Sequence, residues 1–173
     1  EKLPMLSNPE EVFVHVTRSW VDLLLKVTSA TEKDGLINLD ILQPRFDDVT
    51  ADGALTGHQV RPSSNFYIEN ALELLDNPGE FYFDKGTKVL YYMPRAGKDM
   101  NSAVVEAAVL DDIITIKGTD KNNHIENLTL SGLRIENSTF ERMYKYGFKT
   151  AQAQVITYDK SVFIDGAIQI DYA

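Results

Sequence analysis

The chain is predicted to be mainly β, and three features of the sequence carry that expectation. Val12, Val14 and Val16 interleave with Phe13, His15 and Thr17, the two-residue alternation of a half-buried strand. Two β-rich runs, Phe81, Tyr82, Phe83 and Val89, Leu90, Tyr91, Tyr92, are joined by Asp84-Lys85-Gly86-Thr87, a hairpin composition. From Asp111 onward a short alternation recurs: Ile114-Thr115-Ile116-Lys117-Gly118 returns fourteen residues later as Leu128-Thr129-Leu130-Ser131-Gly132, and again as Ala167-Ile168-Gln169-Ile170. Apolar alternations closed by Gly or Asn suit the stacked coils of a parallel β-helix, and an ordinary antiparallel sheet accounts for them as well.

Residues 1 to about 62 read as β with loops. Leu23 to Thr28 and Leu36 to Leu42 supply strand-like runs, with Lys33-Asp34-Gly35 as the turn between them. Residues 47–64 are polar and contain glycine, so they read as a long loop. Next, Asn65 offers a helix cap, Ile68, Leu72 and Leu75 recur at helical spacing, and Asn77-Pro78-Gly79 stops the helix before the hairpin. Within the hairpin Tyr91 and Tyr92 must point to opposite faces, so at most one joins a core. The Ala/Val-rich stretch 103–110 suits either helix or strand.

Composition narrows the function. A chain of 173 residues with 43% apolar content can bury one core or two small ones. It opens at Glu1 without an initiating Met and closes with the strand pattern still running, so it reads as an internal fragment of a longer protein. A formal charge of -9 argues against nucleic acid or an anionic membrane as partner and weakens the case for a uronate-binding lyase. Without cysteine there is no disulfide framework and no thiolate metal site. The longest apolar run, residues 21–27, is interrupted by Asp22 and Lys26 and falls short of the ~20 residues a membrane helix needs, so no membrane span is expected.

The block Glu69-Asn70-Ala71, Leu74-Leu75-Asp76, Pro78-Gly79-Glu80, Tyr82, Asp84 and Leu90-Tyr91-Tyr92 to Pro94 resembles the insertion of right-handed parallel β-helix glycoside hydrolases similar to family 141. Phe81 departs from it, standing where that family often carries Trp. The resemblance implies a β-rich insertion domain over residues 1–112, with a loop at 47–64 and a short helix and hairpin at 65–94, followed by right-handed parallel β-helix coils over 113–173, truncated. It implies a polysaccharide or oligosaccharide as partner, together with the remainder of the chain's own β-helix. It also implies a secreted or periplasmic location and no cofactor. Ala151-Gln152-Ala153 is similar to the Gln-Ala element that precedes an insertion and the next coil in such proteins, which makes Gln152 a candidate for hydrogen bonding to sugar. The function so implied is a fragment of a polysaccharide-degrading glycoside hydrolase that lacks the catalytic carboxylates. The alternative is a non-catalytic carbohydrate-binding or structural β-helix module.

Glycoside cleavage needs two carboxyl groups across one sugar ring, roughly 5 Å apart for retention and roughly 6.5 to 9.5 Å for inversion. Asp111, Asp112, Glu136, Asp159, Asp165 and Asp171 stand in no diagnostic spacing, and solvated surface charge accounts for each of them. Asp165 and Asp171 are kept as substrate-binding candidates because they flank the last coil. Strand aromatics usually pack a sheet face, whereas Tyr144 and Tyr146, in the loop-like Glu141-Arg142-Met143-Tyr144-Lys145-Tyr146-Gly147, are better placed to stack on a sugar. A calcium-dependent lyase needs clustered carboxylates to hold the metal and a basic residue to remove the proton; Lys and Arg are scattered here, and nothing resembles that cluster. Asp48, Thr50, Asp52 and Gly53 follow the spacing of a calcium loop, but Gln59 stands where a bidentate Glu is required, so no metal is expected. His15, His58 and His124 lie too far apart for zinc-ligand spacing, and the sequons at Asn127 and Asn137 read as coil corners.

Overall fold

The computed structural model describes residues 3–18, 21–44, 46–47, 64–139, 141–151, 154–157 and 166–173. The fold is mainly β, divided into two compact units: residues 1–103 with 143–162, and residues 104–142 with 163–173.

The first unit is built on β1 (Phe13–Arg18), β2 (Val21–Lys33), β3 (Leu36–Ile41) and β4 (Asn65–Glu69), joined later by β8 (Gly147–Ala151) and β9 (Gln154–Thr157). Their sheet runs β4-β1-β2-β8-β9, with β3 also paired to β2, and every pairing is antiparallel. Alternation divides the side chains of β1 and β2 between two faces. Val16, Leu23 and Leu25 are buried on one face with Val14 and Ile41 packed against them, and Val27 joins Leu6, Val12, Ala30 and Ala71 nearby. Ile37, Leu39 and Ile41, the half-buried alternate residues of β3, line that same core. The turn between β2 and β3 forms where expected: Asp34 and Gly35 have φ of 55° and 75°, the left-handed pair of a two-residue hairpin loop.

The region 65–75 departs from its expected helix. Asn65–Glu69 is the strand β4, paired with β1 from Asn65↔Thr17 to Glu69↔Phe13, and only Leu72–Leu74 winds, as one 3-10 turn. The spacing of Ile68, Leu72 and Leu75 therefore records a strand entering a turn. Asn70 marks the break, with φ of 62° and a side-chain amide that donates to the Glu11 carbonyl at 2.8 Å. The expected hairpin forms as β5 (Phe81–Asp84) and β6 (Val89–Tyr92), paired from Phe81↔Tyr92 through Asp84↔Val89. Tyr91 and Tyr92 do face opposite ways, but both stay partly exposed; Tyr82, 1% exposed, takes the core position. Its hydroxyl accepts from Asn8 Nδ2 at 3.0 Å and donates to Glu11 Oε2 at 2.9 Å, tying the hairpin to the turn at Pro9–Glu11.

In the second unit, β7 (Ile114–Lys117) and β10 (Ile168–Asp171) form a parallel pair with Ile114 opposite Ile168 and Ile116 opposite Ile170. Leu128-Thr129-Leu130, the fourteen-residue echo, carries no strand, and neither does the stretch 103–110. Instead Thr139 N–H donates to Leu110 C=O at 2.8 Å, and Ile113 and Ile114 N–H donate to Ala167 C=O at 2.9 and 3.1 Å. Asn127 and Asn137 both adopt left-handed φ, 59° and 60°.

Two outcomes are expected from this packing. Tyr82→Phe strands the partners of the buried hydroxyl and lowers unfolding free energy by about 1–3 kcal/mol in denaturant titration, whereas Tyr82→Ala costs about 3–5 kcal/mol. The second concerns Glu73. Its burial favours the protonated form, but the Ser7 hydroxyl and the Ser7 N–H at 2.9 Å outweigh this and hold the carboxyl below its ordinary 4.5. A depressed folded value means stabilisation that is fully present above the ordinary carboxylate range and lost as pH falls through the folded value. Ser7→Ala is therefore expected to give a shallower fall in melting temperature than the parent between about pH 5 and 3.

Candidate functional site

The face of the sheet opposite the apolar core carries a polar cluster around His15. Cross-strand pairing lays it out in rows: Glu69, Phe13 and Lys26; then Tyr67, His15, Leu24 and Phe148; then Asn65, Thr17 and Asp22. His15 is the hub. Its Nε2 contacts Asp22 Oδ1, and its Nδ1 meets Glu69 Oε1 at 3.2 Å and the Tyr67 hydroxyl. The imidazole side chain is 14% exposed, while Asp22 and Glu69 reach solvent at 41% and 27%. The imidazole thus clamps β1, β2 and β4 through side chains, in addition to their ladders.

Aromatic rings wall this cluster. Tyr67 stacks obliquely on His15, centroids 4.6 Å apart and planes at 37°, and Phe148 meets the imidazole edge-on at 6.3 Å. Tyr144 stands edge-on to Phe13 at 5.6 Å. Burial, then the negative charges of Glu69 and Asp22, raise the Tyr67 and Tyr144 phenols above their usual range, so both hydroxyls remain neutral donors. Asp22 is further held by Thr150, whose Oγ1 accepts from Asp22 N–H at 2.9 Å.

Tyr144 rides on α1 (Glu141–Tyr146), where a loop was expected. Met143, 2% exposed, anchors the turn; Glu141 lies at its start and Lys145 at its end, each favourable to the helix dipole. Gly147, at φ of 81°, stops it. A Cβ at Gly147 would sit 2.0 Å from the Leu24 carbonyl, so only glycine lets β8 approach β2 and bring α1 over the polar face.

Among the sequence-predicted site residues, Tyr144 therefore joins the cluster. Tyr146 carries the Lys145 ammonium 5.1 Å from its ring. Asp171, in the second unit, faces Lys117 Nζ at 3.8 Å across the parallel pair; both side chains are well exposed, so the contact adds little. Gln152 and Asp165 lie outside the described residues, as do His58 and the calcium-like spacing from Asp48. No group of three or more acidic or histidine side chains among the described residues is arranged to hold a metal ion. His15, Asp22, Glu69 and Tyr67 were missed by the sequence reading. The signal that could have exposed them is the polar residue inserted at Asp22 in an otherwise apolar run, facing a strand histidine.

The antiparallel sheet and the aromatic hairpin together form a β domain. The comparisons give it a family. Residues 5–95 match the GH141 insertion domain, and the chain belongs to that family. No curated protein matches the chain. A solved structure titled "Glycoside hydrolase" superposes with a TM-score of 0.59 at 25% identity, over 79% of this chain and 23% of that one, so the chain spans less than a quarter of that structure's length.

The clamp can be measured directly. A double-mutant cycle of His15→Ala and Asp22→Ala is expected to give a coupling energy of about 1–3 kcal/mol in unfolding free energy, against nearly additive losses for His15→Ala with Tyr82→Phe.

Proposed function

We propose that the chain is part of a polysaccharide-degrading glycoside hydrolase: its insertion domain together with the first coils of a right-handed parallel β-helix. The carboxylates that cleave the glycosidic bond would be supplied by other parts of the parent protein. The observation that carries this reading is the match of residues 5–95 to the GH141 insertion domain, and the structural neighbour supports it.

The parallel pair supports the coils. Parallel strands need a crossover between them, and the Thr139 hydroxyl reaches Asp111, 28 residues back, while Gln169 Nε2 donates to Asp112 at 2.9 Å. One circuit of chain thus returns beside its own start. The two carboxylates drawn together by His15 do not make a hydrolytic pair. A general acid and its partner must leave room between them for a sugar ring or a water, and the imidazole fills that space. A polysaccharide substrate places the parent protein outside the cytoplasm, secreted or periplasmic.

The isolated chain is expected to turn over no aryl glycoside. A panel of 4-nitrophenyl glycosides assayed at micromolar protein concentration checks this; measurable turnover that survives repurification would overturn the assignment of the catalytic carboxylates to the rest of the parent.

A further inference from the structure

We propose that the polar face of β4, β1 and β2 is a saccharide-binding site of the insertion domain. It would hold one neutral sugar ring against Tyr67 and Tyr144, with the sugar hydroxyls donating to Asp22 and Glu69. The inference rests on the polysaccharide reading above and deepens it, since it gives this unit a contact with substrate that is separate from bond cleavage.

A pyranose offers an apolar C–H face and a rim of hydroxyls. A site for it needs a flat ring plane and a few acceptors fixed at the rim. Tyr67 meets the first need: one face of its ring lies on His15, its hydroxyl is pinned to Nδ1, and the side chain remains 48% exposed. Tyr144, 44% exposed and braced edge-on against Phe13, provides the second ring, from a different element. Tyrosine has only two χ angles to fix, and both rings are already braced, so little ordering cost remains for binding.

The acceptors are equally prepared. An ionised carboxylate has about four acceptor sites. His15 occupies one on Asp22, whose side chain is 41% exposed, and one on Glu69, at 27%. Adjacent hydroxyls of a sugar can then donate to the two oxygens of one carboxylate, the bidentate geometry that combines strength with orientation. The same charges set the ligand class. A uronate would bring its carboxylate toward Asp22 and Glu69, and like charges in a partly desolvated site repel. Lys26, on this face, is directed elsewhere, its ammonium 5.9 Å from the Phe13 ring centroid and 3.4 Å from the Lys145 carbonyl. The hairpin makes a useful contrast. Phe81, Phe83 and Leu90 share one exposed face, but no second aromatic element with an adjoining His-held carboxylate pair stands beside it among the described residues.

The test is NMR titration of the 173-residue chain with cellohexaose, xylohexaose, mannohexaose and hexagalacturonate, following the tyrosine ring 1H–13C signals, with Kd from calorimetry. At least one neutral hexaose is expected to shift Tyr67 and Tyr144 together, with hexagalacturonate at least tenfold weaker. Tyr144→Ala and Asp22→Asn are each expected to weaken that binding about tenfold. Tyr144→Phe, which keeps the ring, should hold affinity within about threefold and guards against misfolding as the cause. Binding that leaves these rings unshifted and survives Tyr144→Ala overturns the site while the polysaccharide reading stands. Tighter binding of hexagalacturonate overturns the assigned ligand class. No binding of any of the four overturns the site, while the polysaccharide reading, which rests on the family match, stands.

Discussion

Pairing along β2 is the constraint on which the first unit depends. Its residues Leu23, Leu24, Leu25 and Val27 are all but removed from solvent, and along its 13 residues it serves β1, β3 and β8 as partner. Hydrophobic burial fixes which face turns inward, because a slip of one residue would exchange Leu23 and Leu25 for Asp22 and Leu24. With register set, everything polar on the far side is set too. Asp22 lands diagonal to His15, and β4 carries Tyr67 beside it and Glu69 one pair further along. The cluster is thus a by-product of the core's register, and needs no specificity of its own to assemble.

That arrangement explains an apparent contradiction in the sequence. Asp22 and Lys26 interrupt an otherwise apolar run, and read alone they weaken it as a core strand. In the sheet both fall on the outward face, where Asp22 receives His15 and Lys26 lies over Phe13. The interruptions are the alternation itself. Leu24, between them on that face, is buried beside Phe148, while Asp22 at its side stays 41% exposed, so the outward face is apolar at its centre and polar around it.

How much was legible follows from the range of the interactions involved. The β2–β3 turn and the β5–β6 hairpin are local: Asp34-Gly35 and Asp84-Lys85-Gly86-Thr87 specify their own backbone, and both appear where expected. The 65–69 segment misled because Ile68, Leu72 and Leu75 satisfy helical spacing, while what decides the matter is the edge of β1, over fifty residues away in sequence. Tyr144 was picked out for its exposure but placed in a loop; the buried Met143 and the close approach of Gly147 to Leu24 are what wind α1. For His15, Asp22 and Glu69 the sequence offers only the polar break at Asp22; which residue faces which is decided by the register of β1 with β2 and β4, and spacing within a strand does not carry that.

The junction of β2 with β8 also bears on how the protein is made. Asp22 and Thr150 are 128 residues apart in the chain. At a ribosomal rate of roughly 5–20 residues per second, the β8-facing edge of β2 waits roughly 6 to 25 s for its partner to emerge. During that interval an edge bearing Leu23, Leu24 and Leu25 is open to any other extended segment in the cell. A chaperone that shields nascent strands would do most for this protein during that wait, and crowded overexpression would do it most harm then.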